Sequence, residues 1–89
     1  VAAVIMEPLR SEKPAEGYLA GVRKLCDEHG VALIFDEVSS GLRFGMQAAQ
    51  GFVGVTPDMA VFAKSMSNGY PMGAVVGKRW VMEPASRMW

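Results

Sequence analysis

Histidine and cysteine are nearly missing from this 89-residue chain, which has one of each, His29 and Cys26. A lone cysteine excludes an internal disulfide, and one cysteine with one histidine excludes a Cys/His metal cluster. That usage is compatible with a reducing cytoplasm, the expected location. Charge of either sign is also missing in excess: nine basic residues balance nine acidic ones. No basic stripe points to nucleic acid and no charge run points to a membrane surface. No apolar run approaches the ~20 residues of a membrane span, and a leader of the secretory type is not expected from these residues. Repeats and low-complexity segments are absent as well.

What is there reads as a globular interior. The chain is 51% apolar and 20% charged, far from a disordered composition. It opens in an apolar run, Val1-Ala2-Ala3-Val4-Ile5-Met6, and has no initiator methionine. We read it as an internal piece, residues 1–89, of a larger domain.

The pattern along the chain alternates short apolar runs with one amphipathic stretch. Residues 2–6 read as a buried strand. Pro14 suits a first helical turn, and Ala15 to His29 has helical spacing. Tyr18, Leu19, Val22, Leu25 and Cys26 are expected on its apolar face. Gly17 and Gly21 within it can allow close packing against a sheet. Gly30 is placed for a left-handed turn at the helix end, and His29 suits the helix dipole there. Val31 to Phe35 is a second strand, so the first 35 residues form a βαβ unit with a right-handed crossover. A short helix is expected over 46–53 and a third strand over Met59 to Ala63. After a dense turn signal at 67–71, Gly73 to Gly77 can pair back as an antiparallel strand. Lys78 to Glu83 begins another helix. Trp80 and Trp89 are candidates for packing at a subunit boundary.

Two of these runs end in residues with chemistry. Asp36 closes Val31-Ala32-Leu33-Ile34-Phe35, and Lys64 closes Met59-Ala60-Val61-Phe62-Ala63. In open parallel sheets ligands bind beyond the carboxyl ends of the strands. A carboxylate and an amine on that edge can hold a pyridoxal ring at opposite ends, the lysine as a Schiff base and the aspartate against the ring nitrogen. Val38, two residues past Asp36, is placed to pack on the ring face. Position alone also allows plainer roles, Asp36 as a strand-terminal cap and Lys64 as a solvated side chain.

The wording of the two segments is more specific than their spacing. Leu33-Ile34-Phe35-Asp36-Glu37-Val38 resembles the aspartate motif of the class III aminotransferases. The stretch from Pro57 through Lys64-Ser65-Met66-Ser67-Asn68-Gly69-Tyr70-Pro71 to Ala74 resembles their lysine motif. The resemblance covers essentially the whole chain and is strongest to the glutamate-1-semialdehyde aminomutase branch. It implies a fold-type-I pyridoxal-phosphate enzyme: a three-layer α/β sandwich with a mostly parallel sheet. It implies amino-group transfer between an amine or amino acid and a carbonyl compound, or an intramolecular amino shift.

By the same resemblance, Lys64 is the Schiff-base lysine, Asp36 the partner of the pyridine nitrogen, and Val38 the ring-packing residue. Ser39 stands where some members carry a glutamine near the cofactor's phenolic oxygen, and a serine is shorter. Glu12 falls where ornithine-type members have an active-site glutamate, within differing surroundings. The family's phosphate loop and substrate-carboxylate arginine have no counterpart here, so the chain by itself is expected to be inactive. A homodimer with shared sites is implied.

Two rivals come from other classes. An apolar strand ending in Asp-Glu also describes the magnesium-binding strand of nucleotide hydrolases. That reading needs G-x-x-x-x-G-K-[ST]. The nearest stretch, Gly73 to Arg79, is one residue short between its glycines, lacks the hydroxyl and follows the Asp-Glu. The other rival is an inactive structural piece of an aminotransferase-like fold, against which the presence of Lys64 counts.

Overall fold

The computed structural model describes residues 1–88; Trp89, one of the two tryptophans assigned to a subunit boundary, lies outside them. Four strands form one sheet in the order β1 (Ala3–Met6), β2 (Ala32–Asp36), β3 (Met59–Phe62) and β4 (Ala74–Gly77). The first three run parallel and β4 returns antiparallel to β3. Helix α1 (Tyr18–His29) connects β1 to β2, and the short α2 (Ala48–Val53) lies between β2 and β3. A 3-10 turn over Lys64–Met66 follows β3, and α3 (Arg79–Ser86) follows β4.

Pleating assigns the two faces of the sheet, because successive side chains alternate. On one face Leu33 and Phe35 are fully buried beneath Leu19 and Cys26 of α1, with Val55 and, at the margin, Val4, Met6 and Val53. On the other face lies the row Ile5, Ile34, Met59 and Gly77. A Cβ added at Gly77 would sit 3.0 Å from Met82 Cγ of α3, so α3 packs on this second face. The result is the expected layering of helix, mostly parallel sheet and helix. No helix among the described residues is long and apolar enough to cross a membrane.

Helix α1 departs from its expected limits at one end. It starts at Tyr18, not Ala15, and Pro14 lies outside it. Gly17 takes a left-handed φ of 77° there, which ends any continuation backwards. Neither Gly17 nor Gly21 meets another atom where a Cβ would lie, so these glycines do not serve close packing. Only Leu19 and Cys26 of the expected apolar face are buried; Tyr18 and Leu25 are exposed. The carboxyl end follows expectation. Gly30 is left-handed and donates to Asp27 O, and the Val31 N–H donates to Cys26 O at 2.9 Å.

A buried polar hub closes the amino-terminal edge of the sheet. Asp58, just before β3, accepts hydrogen bonds from the Leu33 N–H at 2.8 Å, from Arg23 Nη2 at 2.7 Å and from Lys78 Nζ at 3.0 Å. Arg23 also donates to Asp27 and to Thr56 O. Burial alone would raise the Asp58 pKa. The hydrogen bonds from Arg23, Leu33 and Lys78, with the Arg23 charge, outweigh it and hold the carboxyl below its ordinary value.

Candidate functional site

At the opposite edge the carboxyl ends of β2 and β3 come out side by side. Asp36 is in register with Val61 on β3, three residues before Lys64. The parallel pairing runs on for one more bond, from the Glu37 N–H to Val61 O at 2.9 Å. Asp36 and Lys64 are thereby brought to neighbouring positions on one edge, as the sequence suggested.

Asp36 is half-buried. Its Oδ1 accepts the Val38 N–H at 3.0 Å, which folds the chain sharply after the strand. No hydrogen bond falls on Oδ2 among the described residues. Val38 is half-buried and Ser39 exposed. Ser39 Oγ accepts a hydrogen bond from Lys64 Nζ at 2.8 Å, and this contact joins the two strand ends directly. Lys64 forms no ion pair among the described residues.

The backbone at Lys64 is strained. Its φ is 43°, a left-handed value that costs a non-glycine residue about 1 kcal/mol or more. The turn holds it there: Lys64 O accepts from the Ser67 and Asn68 N–H groups, each at 3.1 Å, and from Ser67 Oγ at 2.9 Å. The Ser67-Asn68-Gly69 turn signal thus grips the lysine's own peptide.

Glu12 behaves differently. It is exposed and shares no hydrogen bond with Asp36, Val38, Ser39 or Lys64. Four of the five candidate residues gather at one edge, and Glu12 is not joined to them by any such contact.

Sequence reasoning met Glu37 only as part of the Asp-Glu pair and missed its contacts. Its side chain is fully buried, and Ser40 Oγ, the Ala49 N–H and Gln50 Nε2 all donate to it. The overlooked signal was distance: the partners lie up to 13 residues away, across a loop with no regular period.

A cavity of about 500 Å³ opens beside Ser39, lined also by Glu7, Leu9, Arg10, Arg43 and Phe44; Asp36, Val38 and Lys64 are not among its lining residues. The donor set suits a pyridoxal ring: an amine without an ion-pair partner among the described residues, a carboxylate with one oxygen free of protein donors, and a half-buried valine two residues after that carboxylate.

Comparison with known proteins gives a consistent result. The family profile described as aminotransferase class-III matches residues 1–87. The chain is 48% identical to glutamate-1-semialdehyde 2,1-aminomutase 1 of Lachnoclostridium phytofermentans, covering 93% of this chain and 20% of that protein. A solved transaminase with PLP bound superposes with a TM-score of 0.83 at 33% identity, covering 90% of this chain and 20% of the other. A thermostable omega transaminase mutant from Pseudomonas jessenii reaches a TM-score of 0.88 at 30% identity, covering 98% and 21%. The chain spans about a fifth of the length of these relatives.

Proposed function

The chain belongs to the aminotransferase class-III family, and from that premise we propose that it supplies the ring-binding half of a pyridoxal-phosphate site. It forms part of the large domain of a protein that transfers an amino group between an amine or amino acid and a carbonyl compound. The observation that carries this reading is the convergence of Asp36 and Lys64 at the ends of adjacent parallel strands, bridged by the Lys64–Ser39 hydrogen bond.

The bound cofactor supplies an electron sink that stabilises charge at the carbon losing a proton. Lys64 Nζ would be the attachment point and, when free, the base that carries that proton. The hydroxyl of Ser39, which accepts from that amine, would orient it. The Asp36 carboxylate would hold the proton on the ring nitrogen, since opposite charge close by favours the protonated form. Val38 would pack against the ring and exclude water.

An intramolecular amino shift is the second reading, favoured by the 48% identity to an aminomutase. The residues that bind phosphate and substrate carboxylate belong to other parts of the protein. A cytoplasmic homodimer with shared sites is the corresponding assembly, and the 89-residue chain alone is inactive.

The test is made on the complete protein carrying this chain. Borohydride reduction in the presence of pyridoxal phosphate, digestion and mass spectrometry should place one adduct on Lys64, with Lys13, Lys24 and Lys78 unmodified. Lys64→Ala should remove the adduct and nearly all turnover. Asp36→Asn should retain the adduct and lose about a hundredfold or more in kcat, within the range of proton-transfer effects. An adduct spread over all four lysines, or wild-type kcat in Asp36→Asn, would sink the reading.

A further inference from the structure

We infer that Glu37 is a positioning residue for the cofactor site: its buried side chain fixes the loop that presents Val38 and Ser39 to Lys64. The inference rests on the site reading above and adds a residue that never touches the ring.

The loop from Val38 to Gln47 leaves the sheet at the site and returns at α2. Glu37 closes it at both ends. Oε1 accepts from Ser40 Oγ at 3.3 Å and from the Ala49 N–H, and Oε2 accepts from Gln50 Nε2 at 3.1 Å. Its backbone holds the near end as well, through the Glu37 N–H to Val61 O and the Gly41 N–H to Glu37 O at 2.7 Å. The Ala49 N–H is one of the donors a helix start leaves without an internal partner. Gln47, which precedes α2, provides no side-chain cap. Glu37 takes over that role from across the loop.

Two features indicate that the grip serves geometry. Glu37 is fully buried and has no cationic partner among the described residues. A buried acidic group without a cation is a poor way to gain stability compared with apolar packing. The loop also contains Leu42 at φ 66° and ends at Ala48 at φ 60°, strained values for residues with side chains. Such a loop keeps one shape only when something outside it fixes its ends. Its first residues bear the half-buried Val38 and the hydroxyl 2.8 Å from Lys64 Nζ.

Glu37→Gln tests this with little change in shape. It replaces one acceptor oxygen with an NH₂ group, so either the Gln50 amide must turn to accept from it or a donor meets the Ala49 N–H, and the contact pattern at the loop's far end changes. In the complete protein loaded with pyridoxal phosphate, the borohydride adduct should remain on Lys64. The pH midpoint of the bound cofactor's absorbance should move. Misplacement of the reacting groups should lower kcat by about ten- to a hundredfold, with KM changed far less. Glu37→Asp, which keeps both acceptors, should recover part of the loss.

A lower melting temperature with wild-type absorbance, pH midpoint and kcat would overturn the inference and leave the Lys64 reading intact. If Glu37→Gln does not accumulate as folded protein, Gln50→Met removes a single donor at a half-buried position. A pH midpoint shifted as expected would support the inference, and an unchanged one would overturn it. If the wild-type protein gives no adduct on Lys64, both readings fall together.

Discussion

Lys64 combines an amine at the candidate site with a backbone angle that glycine adopts most freely. Gly41 shows the reverse logic nearby. A Cβ built there would come within 2.6 Å of Phe62 Cδ1 and 2.8 Å of Glu37 O. The turn after Asp36 therefore lies directly on the strand that delivers the lysine. Gly41→Ala should push the turn away from Phe62, destabilise the protein by about 1–3 kcal/mol and speed cofactor release. Thermal melting and the cofactor dissociation rate of the complete protein would check both effects. An unchanged dissociation rate would show that the turn and the lysine strand are not coupled through this contact.

Among the elements, the strands were largely legible because apolar runs bounded by turn residues leave few alternatives, while the adjacency of β2 and β3 came from the structure. The placement of Asp36 and Lys64 at one edge was legible for a related reason, since each ends such a run, whereas their expected roles came from the wording of the two segments and not from spacing. The start of α1 was not, because Pro14 and the spacing from Ala15 both favour a helix while Gly17 adopts a conformation that breaks one. Exposure of Tyr18 and Leu25 was hidden by the same limit: periodicity marks a face without saying how far the sheet extends beneath it. Glu37 and Asp58 were illegible because their partners sit on other elements, and no local pattern records a tertiary hydrogen bond.

The Asp58 hub gives the elements a pH dependence with a definite sign. Its carboxyl is held below the ordinary value of 3.8 in the folded chain. A depressed carboxyl pKa stabilises the fold above the unfolded value. That contribution should be intact above pH 3.8 and be lost as pH falls through the folded pKa. Arg23→Met removes the largest of the groups holding it down, so the loss should move to higher pH. Breaking the buried pair should also cost on the order of 3 kcal/mol near neutrality. Urea midpoints of both proteins across pH 3 to 7 are the measurement, and parallel curves would contradict the assignment.

For the whole molecule, the second face of the sheet governs behaviour. Ile5 is 64% exposed, and Val75 and Trp80 are also open to solvent. Sheets built from βαβ units are ordinarily covered on both faces, and relatives are about five times as long as this chain. The isolated chain should therefore be marginal. Amides of β2 and β3 should exchange close to unfolded-peptide rates in it, yet be protected in the complete protein. Hydrogen exchange with mass spectrometry distinguishes the two, and equal protection would mean that these four strands are self-sufficient.

Strand β3 starts beside Asp58 and ends beside Lys64. At a strand rise of ~3.3 Å per residue the two lie on the order of 15–20 Å apart, and no hydrogen-bond partner is common to both. Substitutions at such distances combine nearly independently. A lineage can thus drift in thermal tolerance at one end of a four-residue strand and in chemistry at the other, with neither history constraining the other.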